Sequence, residues 1–589
     1  MSLTDDDYAA LSEDIPNPSD PFILQFIKGS SALRAQEAAL RADFPFRKSL
    51  SPIARRAATI VSRIRARENE TVWSASSDGV SGDMTVHPGM SFRQARPLIE
   101  TTDLWKVVRK MPKGAALHAH LDGMVDNDYL LDVLLETPGM HISADAPLST
   151  PEALGSAGVG FRYCKESGGG GSIWEGEYVP GTWKSVKTAA DEFSDGGKEG
   201  FLRWLKDQCT LTHEEAMATH RGPDDIWKSF GRCFQMTSAI LHHEPIFRAF
   251  LRRLMQSLHE DGVSWIELRF TWGLDYYREG EETPESDYDA MFSAMEEELS
   301  RFKSDPEHAS FWGFRTIWTA PRALPRRGII QDMDNCITTK LAYPELIAGY
   351  DVCGKEDLGR SLKDLLPELF WFRKQCAQEG VEIPFFFHAG ETLATGPNSP
   401  DDNLYDAVLL GTRRLGHAVS LHRHPLLVDL VKEKRILIES CVISNEILRL
   451  SGPVKAHPLP GLLARGVPCA LGNDVPAMLG QGASGSSHDY YQALQGWDDL
   501  GLEGLGALAE NSVRWAAFED EAAAEWTAGV REASLGGGVK AKRLQEWATA
   551  WERFCLWIVA EFGDEWEEEG EGGGASSSTG GIIAGEGKT

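Results

Sequence analysis

The 589-residue chain predicts an α/β fold: a closed (β/α)₈ TIM barrel with a helical N-terminal extension, an insertion after the first strand and a C-terminal helical segment. Between residues 111 and 476, a short apolar run that ends in polar residues is followed by a segment of helical period, and this unit recurs eight times. Eight strands that alternate with helices favour a parallel sheet closed on itself. A doubly wound open sheet would need a glycine-rich phosphate turn after its first strand, and the sequence has none there.

The eight predicted strands are spaced so that a helix fits between most neighbours. They cover residues 114–122, 263–270, 311–319, 346–354, 383–391, 414–421, 435–445 and 467–474. The helix before the second strand shows the expected ends, because Pro245 stands in its first turn and Gly262 stops it directly before the strand. We therefore predict a barrel domain over residues 111–500.

Other segments flank or interrupt this barrel. Residues 1–110 are predicted to form a helical extension, and residues 501–562 to form helices that pack on the barrel. Residues 141–200 are rich in Gly, Ser, Pro and Trp and lack sustained periodicity, so we predict an insertion, either a lid or a surface loop. The acidic, Gly- and Ser-rich residues 563–589 cannot bury enough apolar surface to fold and are predicted to be disordered.

Charge and cysteine content exclude several classes of function. With 59 Lys and Arg against 88 Asp and Glu, the net charge of −29 repels nucleic acids and anionic membranes, so we expect a small-molecule substrate and neither of those partners. Nine scattered cysteines without a CxxC pair favour a reducing compartment. The N-terminus lacks the basic and apolar regions of a secretory signal, and we expect a cytoplasmic protein.

Polar residues close several of the predicted strands, at the end where barrels of this kind carry their function. His118 and His120 stand two apart on the first strand, so both imidazoles point to one face and can reach one ion. By itself, this pair is as typical of two structural histidines as of a metal site. The fifth strand ends in His388-Ala-Gly-Glu391, and a buried Glu391 must be paired or have a raised pKa. Glu391 is therefore a candidate acid or base, although a Glu in a helical first turn would look the same.

His417 at the end of the sixth strand and Asp474 at the end of the eighth complete the set. Each alone is more typical of a structural histidine or of a capping aspartate. Together, the polar ends of strands 1, 5, 6 and 8 would converge on one mouth. They would supply nitrogen and oxygen ligands together with an acid and a base.

These motifs resemble those of the metal-dependent adenosine deaminases, and within them the adenosine deaminase-related growth factor branch. In family order across residues 100–520, they are Lys113 to Asp122 (KGAALHAHLD), Asp351 to Glu356 (DVCGKE), His388 to Glu391 (HAGE), Leu415 to His417 (LGH) and Ser444-Asn445. The resemblance implies hydrolytic deamination of adenosine or 2′-deoxyadenosine to the inosine product and ammonia. Members of this branch can be dimers built through the N-terminal extension, so the resemblance also implies a possible homodimer.

The same resemblance implies a role for individual residues. Four side chains would bind Zn²⁺: His118, His120, His388 and Asp474. Glu391 would protonate the purine ring nitrogen beside the reacting carbon, and His417 would orient or deprotonate the attacking water. Asp122 would meet the ribose 5′-hydroxyl, and the backbone N–H of Gly354 would meet the purine N3, contacts that orient the substrate.

The chain departs from the family pattern at one position. The eighth strand of the family normally ends in two adjacent aspartates before Pro, the second of which holds the purine N7, whereas this chain reads Asp474-Val475-Pro476. Loss of a hydrogen bond to a charged group costs roughly 1.5–3 kcal/mol, or about ten- to a hundredfold in specificity constant. Three explanations stay open. A neighbour such as Asn473 compensates, the substrate is a modified adenine nucleoside or a nucleotide, or the chain is a weakened homologue that acts by binding.

Overall fold

The computed structural model describes residues 3–74, 86–166, 168–169, 171–273, 275–392 and 400–564. In that part of the chain there are eleven strands, and eight of them correspond to the eight predicted runs. The strands are β1 (Gly114–His120), β2 (Met140–Ala144), β3 (Val159–Tyr163), β4 (Lys184–Ser185), β5 (Val263–Thr271), β6 (Gly313–Pro321), β7 (Ile347–Cys353), β8 (His388–Ala389), β9 (Arg414–His417), β10 (Leu437–Ser440) and β11 (Cys469–Leu471).

Two parallel four-stranded sheets make up the barrel, in the orders β1-β5-β6-β7 and β8-β9-β10-β11. Backbone hydrogen bonds at two junctions close them into a ring. At the first, the N–H of His120 donates to the carbonyl of Asp474 (2.8 Å), and the N–H of Asp474 donates to that of His118 (3.1 Å). At the second, the N–H of Tyr350 donates to the carbonyl of Pro384 (2.9 Å). The predicted closed (β/α)₈ barrel is confirmed, and one of its two junctions lies on predicted site residues.

Six helices precede β1 in the described residues. They are α1 (Asp5–Ser12), α2 (Pro21–Leu40), α3 (Phe44–Ser49), α4 (Pro52–Thr71), α5 (Phe92–Ile99) and α6 (Asp103–Lys110). Helix α4 starts where Pro52 occupies its first turn and the Ser51 hydroxyl accepts from the N–H of Ala54 (3.0 Å). Its buried residues recur every three or four positions, so one face packs on the body of the protein. The predicted helical extension is therefore present.

Helix α2 differs from α4 because none of its residues is buried. Phe22, Phe26 and Leu33 are each more than half exposed.

Among the described residues, none of the helices has the length and apolar content that a membrane span requires. The homodimer remains a prediction.

Between β1 and β5, the described residues form helices and short strands. The helices are α7 (Asn127–Glu136), α8 (Pro151–Ser156), α9 (Val186–Asp191), α10 (Gly197–Cys209), α11 (His213–Met217), α12 (Pro223–Leu241) and α13 (Glu244–Glu260). Strands β2, β3 and β4 form a separate antiparallel sheet in the order β3-β2-β4. The sequence signal for these strands was weak because each has five residues or fewer and Gly- and Ser-rich stretches separate them.

The remaining helices alternate with the barrel strands and then cover one end. They are α14 (Asp289–Lys303), α15 (Arg326–Ala342), α16 (Leu362–Glu379), α17 (Asp402–Leu409), α18 (Pro425–Lys434), α19 (Val442–Ile447), α20 (Leu459–Ala464), α21 (Gly485–Gly496), α22 (Gly501–Arg514), α23 (Ala523–Glu532) and α24 (Gly538–Phe562). The predicted disordered tail, apart from residues 563 and 564, lies outside the described residues.

Glu68 of α4 is a buried carboxylate whose ionisation opposes the packing of α4 against α6. One of its oxygens accepts from the N–H of Leu104 at 3.0 Å, and burial raises its pKa from 4.5 to about 7. A carboxyl group with a raised pKa in the folded state leaves the free energy of unfolding unchanged below pH 4.5. That free energy falls as the pH rises from there through 7.

We therefore expect Glu68→Gln, which carries no charge at any pH, to raise Tm by roughly 2–4 °C at pH 8 and to change it little at pH 4.5. Thermal unfolding followed by circular dichroism at the two pH values measures this difference. Glu70→Gln removes an exposed carboxylate from the same helix and serves as the control. Equal shifts at both pH values would show that ionisation of Glu68 does not oppose folding.

Candidate active site

The four predicted metal ligands come together at the mouth of the barrel, at the ends of β1 and β8 and directly after β11. The Nε2 atom of His120 lies 3.3 Å from Nε2 of His388 and 3.5 Å from Oδ1 of Asp474. The Nε2 atom of His118 lies 3.8 Å from the same carboxylate oxygen. All four side chains are buried, and burial lowers the pKa of His118 and His120 well below the ordinary value. The imidazoles of His118 and His120 are therefore neutral where they face the carboxylate of Asp474.

These separations are close to those between neighbouring ligands of one zinc ion. Zinc binds nitrogen and oxygen ligands at about 2.0–2.2 Å, so two ligand atoms on one ion stand roughly 3–4 Å apart. The Nε2 atom of His118 is buried, and none of the described residues forms a hydrogen bond with it. A buried polar atom without a partner is costly unless a ligand satisfies it. The donor set and its spacing therefore suit a divalent metal ion.

Buried carboxylates fix the other ring nitrogen of two of these histidines. Nδ1 of His388 lies 2.6 Å from Oδ2 of Asp351, and Nδ1 of His118 lies 2.9 Å from Oε2 of Glu439. Arg269 contacts both carboxylates, at 2.9 and 2.7 Å. Burial by itself raises the pKa of Asp351, but His388 and Arg269 hold it below its ordinary value. A carboxylate that accepts from Nδ1–H leaves the Nε2 lone pair free for a metal.

Glu439 and Arg269 have no role predicted from the sequence. Both lie within predicted apolar strands, in the stretches ILIESC and IELRF. A charged residue inside such a run was the available signal, because a buried charge needs a partner. Which residues would pair across the barrel was not visible in the sequence.

Glu391 and His417 lie opposite each other at the same mouth. The Nε2 atom of His417 is 3.4 Å from Oε1 of Glu391. Burial, followed by the nearby Asp474 carboxylate, raises the pKa of Glu391 well above its ordinary value. Glu356 accepts from the backbone N–H groups of residues 390–392 at 3.1, 2.7 and 3.1 Å, so it fixes the turn that carries Glu391. A protonated carboxyl group held in this way can act as an acid.

A cavity of about 790 Å³ opens above these side chains. One wall is a single face of α12 together with the residue that follows the helix. Its contributions recur every three or four residues: Trp227, Phe230, Phe234, Ser238 and His242. Part of another wall comes from the insertion, with Phe161, Arg162 and Trp183. Aromatic walls around a few polar groups suit a flat heterocycle. This role of α12 is not among the sequence predictions, although the spacing W-x₂-F-x₃-F-x₃-S-x₃-H is visible in the sequence.

The two residues predicted to orient the substrate line this cavity. Asp122 accepts a hydrogen bond from the hydroxyl of Ser238 at 2.6 Å, and burial raises the pKa of Asp122 to about 6. Gly354 has a φ of +98°, and no atom lies within 4 Å of where its Cβ would stand. The backbone of Gly354 therefore borders open space, and a residue with a side chain would fill part of that space.

Val475 and Asn473 do not line the cavity. Val475 is fully buried and packs closely on Gly123. A Cβ added to Gly123 would lie only 2.5 Å from the Cβ of Val475. The Nδ2 atom of Asn473 lies 3.2 Å from the hydroxyl of Ser486. Of the explanations for the missing second aspartate, compensation by Asn473 therefore has no support in the geometry.

Comparison with known proteins places the chain in a family. A model of the adenosine deaminase family matches residues 205–533, more than half of the chain. Adenosine deaminase 2 from Homo sapiens is 31% identical over 430 residues, which cover 73% of this chain and 78% of the relative. Adenosine deaminase 2-A from Danio rerio is 29% identical over 445 residues, or 74% of this chain and 81% of the relative. A solved amidohydrolase with bound Zn from the genus Burkholderia covers 77% of this chain and 94% of its own at 15% identity, with a TM-score of 0.48.

The family match covers strands β5 to β11 but not β1, and the alignments with the two relatives are more than 100 residues longer than this match. Together with the closed barrel and its cluster of histidines and carboxylates, they settle the class of protein. The chain belongs to the adenosine deaminase family of metal-dependent hydrolases.

Proposed function

We propose that this protein catalyses the zinc-dependent hydrolytic deamination of adenosine or 2′-deoxyadenosine, releasing ammonia. The observation that carries the proposal is the cluster of His118, His120, His388 and Asp474, which lies beside the Glu391–His417 pair at the base of an aromatic cavity. Family membership supports the reaction class, and relatives named adenosine deaminase 2 support the substrate.

The four clustered side chains would hold the zinc ion. When bound, Zn²⁺ supplies a Lewis acid that makes water acidic enough to attack at neutral pH. The Nδ1 contacts to Asp351 and Glu439 would keep His388 and His118 oriented for this task.

The acid and the substrate contacts follow from the same arrangement. Glu391, whose pKa is raised by burial, would donate a proton to the purine nitrogen beside the reacting carbon, which makes that carbon electrophilic. His417 would hold the attacking water. One proton of that water would return to the Glu391 carboxylate and the other would go to the amino group, which would leave as ammonia. Asp122 would accept from the ribose 5′-hydroxyl, and the N–H of Gly354 would donate to the purine N3. These contacts support a nucleoside more than a free base.

Purified zinc-loaded protein is expected to convert adenosine to inosine and one equivalent of ammonia. Glu391→Gln keeps the shape of the side chain but removes its acidic proton, so kcat should fall by roughly 10²–10⁴-fold. Loss of absorbance as adenosine is consumed, together with an ammonia assay, measures both proteins. A panel of 2′-deoxyadenosine, N6-methyladenosine and adenosine 5′-monophosphate tests the alternative substrates. No turnover of any member above the Glu391→Gln background would refute the proposal.

Asp351→Asn is expected to weaken zinc binding. An amide in place of the carboxylate removes the charge that orients His388, and loss of such a contact lowers metal affinity by roughly 10–100-fold. Competition with a chromophoric chelator measures the dissociation constant without reference to activity. Asp332→Asn replaces another buried carboxylate, which contacts Trp318 and Tyr350 outside the cluster, and should leave zinc affinity unchanged. Equal affinities in Asp351→Asn and the wild type would contradict the assignment of His388 as a ligand.

Val475→Asp tests the explanation that the chain is a weakened homologue. Because Val475 packs against Gly123 and does not line the cavity, we expect the new carboxylate to lower Tm without raising kcat/KM for adenosine. Val475→Asn has nearly the same shape without the charge and serves as the control. A rise in kcat/KM of tenfold or more, for Asp alone, would show that a missing purine contact limits the natural protein.

A further inference from the structure

A chain of buried hydrogen bonds reaches from the backbone to the ring of His417. It runs from the N–H of Leu459 through His457 and Asn445 to Nδ1 of His417, with heavy-atom separations of 3.1, 3.1 and 2.9 Å. The three side chains are at most 5% exposed. The proton positions in such a chain follow from its fixed end, because a backbone N–H can only donate.

The first link sets the tautomer of His457. Its Nδ1 accepts from the N–H of Leu459 and therefore carries no proton. Burial lowers the pKa of His457 to about 3, so the ring is neutral and its single proton lies on Nε2. That Nε2–H donates to the Oδ1 atom of Asn445.

The second link sets the amide of Asn445 and, through it, the ring of His417. Because Oδ1 of Asn445 accepts from His457, its NH₂ group must face His417, where Nδ2 lies 2.9 Å from Nδ1. An amide NH₂ has no lone pair to offer, so it donates, and Nδ1 of His417 accepts. The proton of a neutral His417 then lies on Nε2, the nitrogen that faces Glu391 and the cavity.

We infer that His457 and Asn445 are positioning residues that hold His417 as the Nε2–H tautomer, so that His417 donates a hydrogen bond to the oxygen of the attacking water and does not remove its proton. This inference rests on the proposed deaminase function for the identity of the water. It decides between the two roles, orientation and deprotonation, that the sequence left open for His417. His457 stands just before α20, 12 residues after Asn445, and had no predicted role.

The backbone at His417 supports a fixed orientation of its ring. His417 and Ala418 have φ values of 59° and 45°, which non-glycine residues adopt only when surrounding contacts hold them there. The bond from Asn445 is one such contact.

Nitrogen NMR of the zinc-loaded protein with ¹⁵N-labelled histidine tests the tautomer directly. The signals of His417 are identified by their loss in His417→Gln. We expect a neutral ring with the proton on Nε2 in the wild type. In Asn445→Asp, which has the same shape, the carboxylate accepts from Nδ1–H, and the proton should appear on Nδ1. A wild-type ring protonated on Nδ1, or an unchanged pattern in Asn445→Asp, would overturn the inference whether or not the protein deaminates adenosine.

Kinetics provide a second arm. Asn445→Asp should lower kcat by roughly 10²–10⁴-fold, the range expected when a catalytic histidine is held in the wrong tautomer, with KM and zinc content close to the wild type. His457→Phe frees the amide of Asn445 to rotate and should lower kcat by roughly tenfold. His488→Phe removes a different buried histidine, which stacks on Trp105 away from the cavity, and should leave kcat unchanged. Equal kcat values in wild type and Asn445→Asp would refute the positioning role.

Discussion

The buried ion cluster around Arg269 is the constraint on which the mouth of the barrel depends. Arg269 reaches Asp351 on β7 and Glu439 on β10, and those two carboxylates hold Nδ1 of His388 and His118. Charges in a dry interior are tolerated only as a complete set, and removal of one partner costs roughly 3–5 kcal/mol. The same contacts therefore stabilise the barrel and orient the proposed ligands, so a change at any of them is expected to affect both.

A second layer ties this cluster to the C-terminal helices. Arg414 contacts Glu439 and also Glu267, 2.6 Å away on β5. The guanidinium of Arg414 donates to the carbonyl of Trp515 (2.9 Å), and the N–H of Ala517 donates to Glu267 (2.6 Å). Residues after β11 thus satisfy polar groups inside the barrel. The C-terminal segment completes the core instead of merely covering it.

Strained backbone lies where the chemistry is proposed. Asp474, like His417, is a non-glycine residue with a positive φ, 56°. Each such residue costs of order 1–3 kcal/mol and persists only where its surroundings hold it. At Asp474 the surroundings are the hydrogen bonds to His118 and His120 that close the barrel, together with the Ser444 hydroxyl, 2.6 Å from Oδ2. The same backbone hydrogen bonds therefore close the sheet and fix the positions of three of the proposed ligands.

The sequence by itself located the eight strands and the short list of site residues, because both signals are local. It did not give the strand ends, since the predicted strand over residues 435–445 stops at Ser440 and α19 begins at Val442. An apolar run shows its period within ten residues, and a histidine at its end is visible without knowledge of the fold. Only the tertiary structure decided which buried charges pair, that α12 and the insertion sheet wall the cavity, and that Val475 faces Gly123. It also linked His457 to His417. These contacts join different elements of the fold, so they follow from how the elements pack and not from any local sequence pattern.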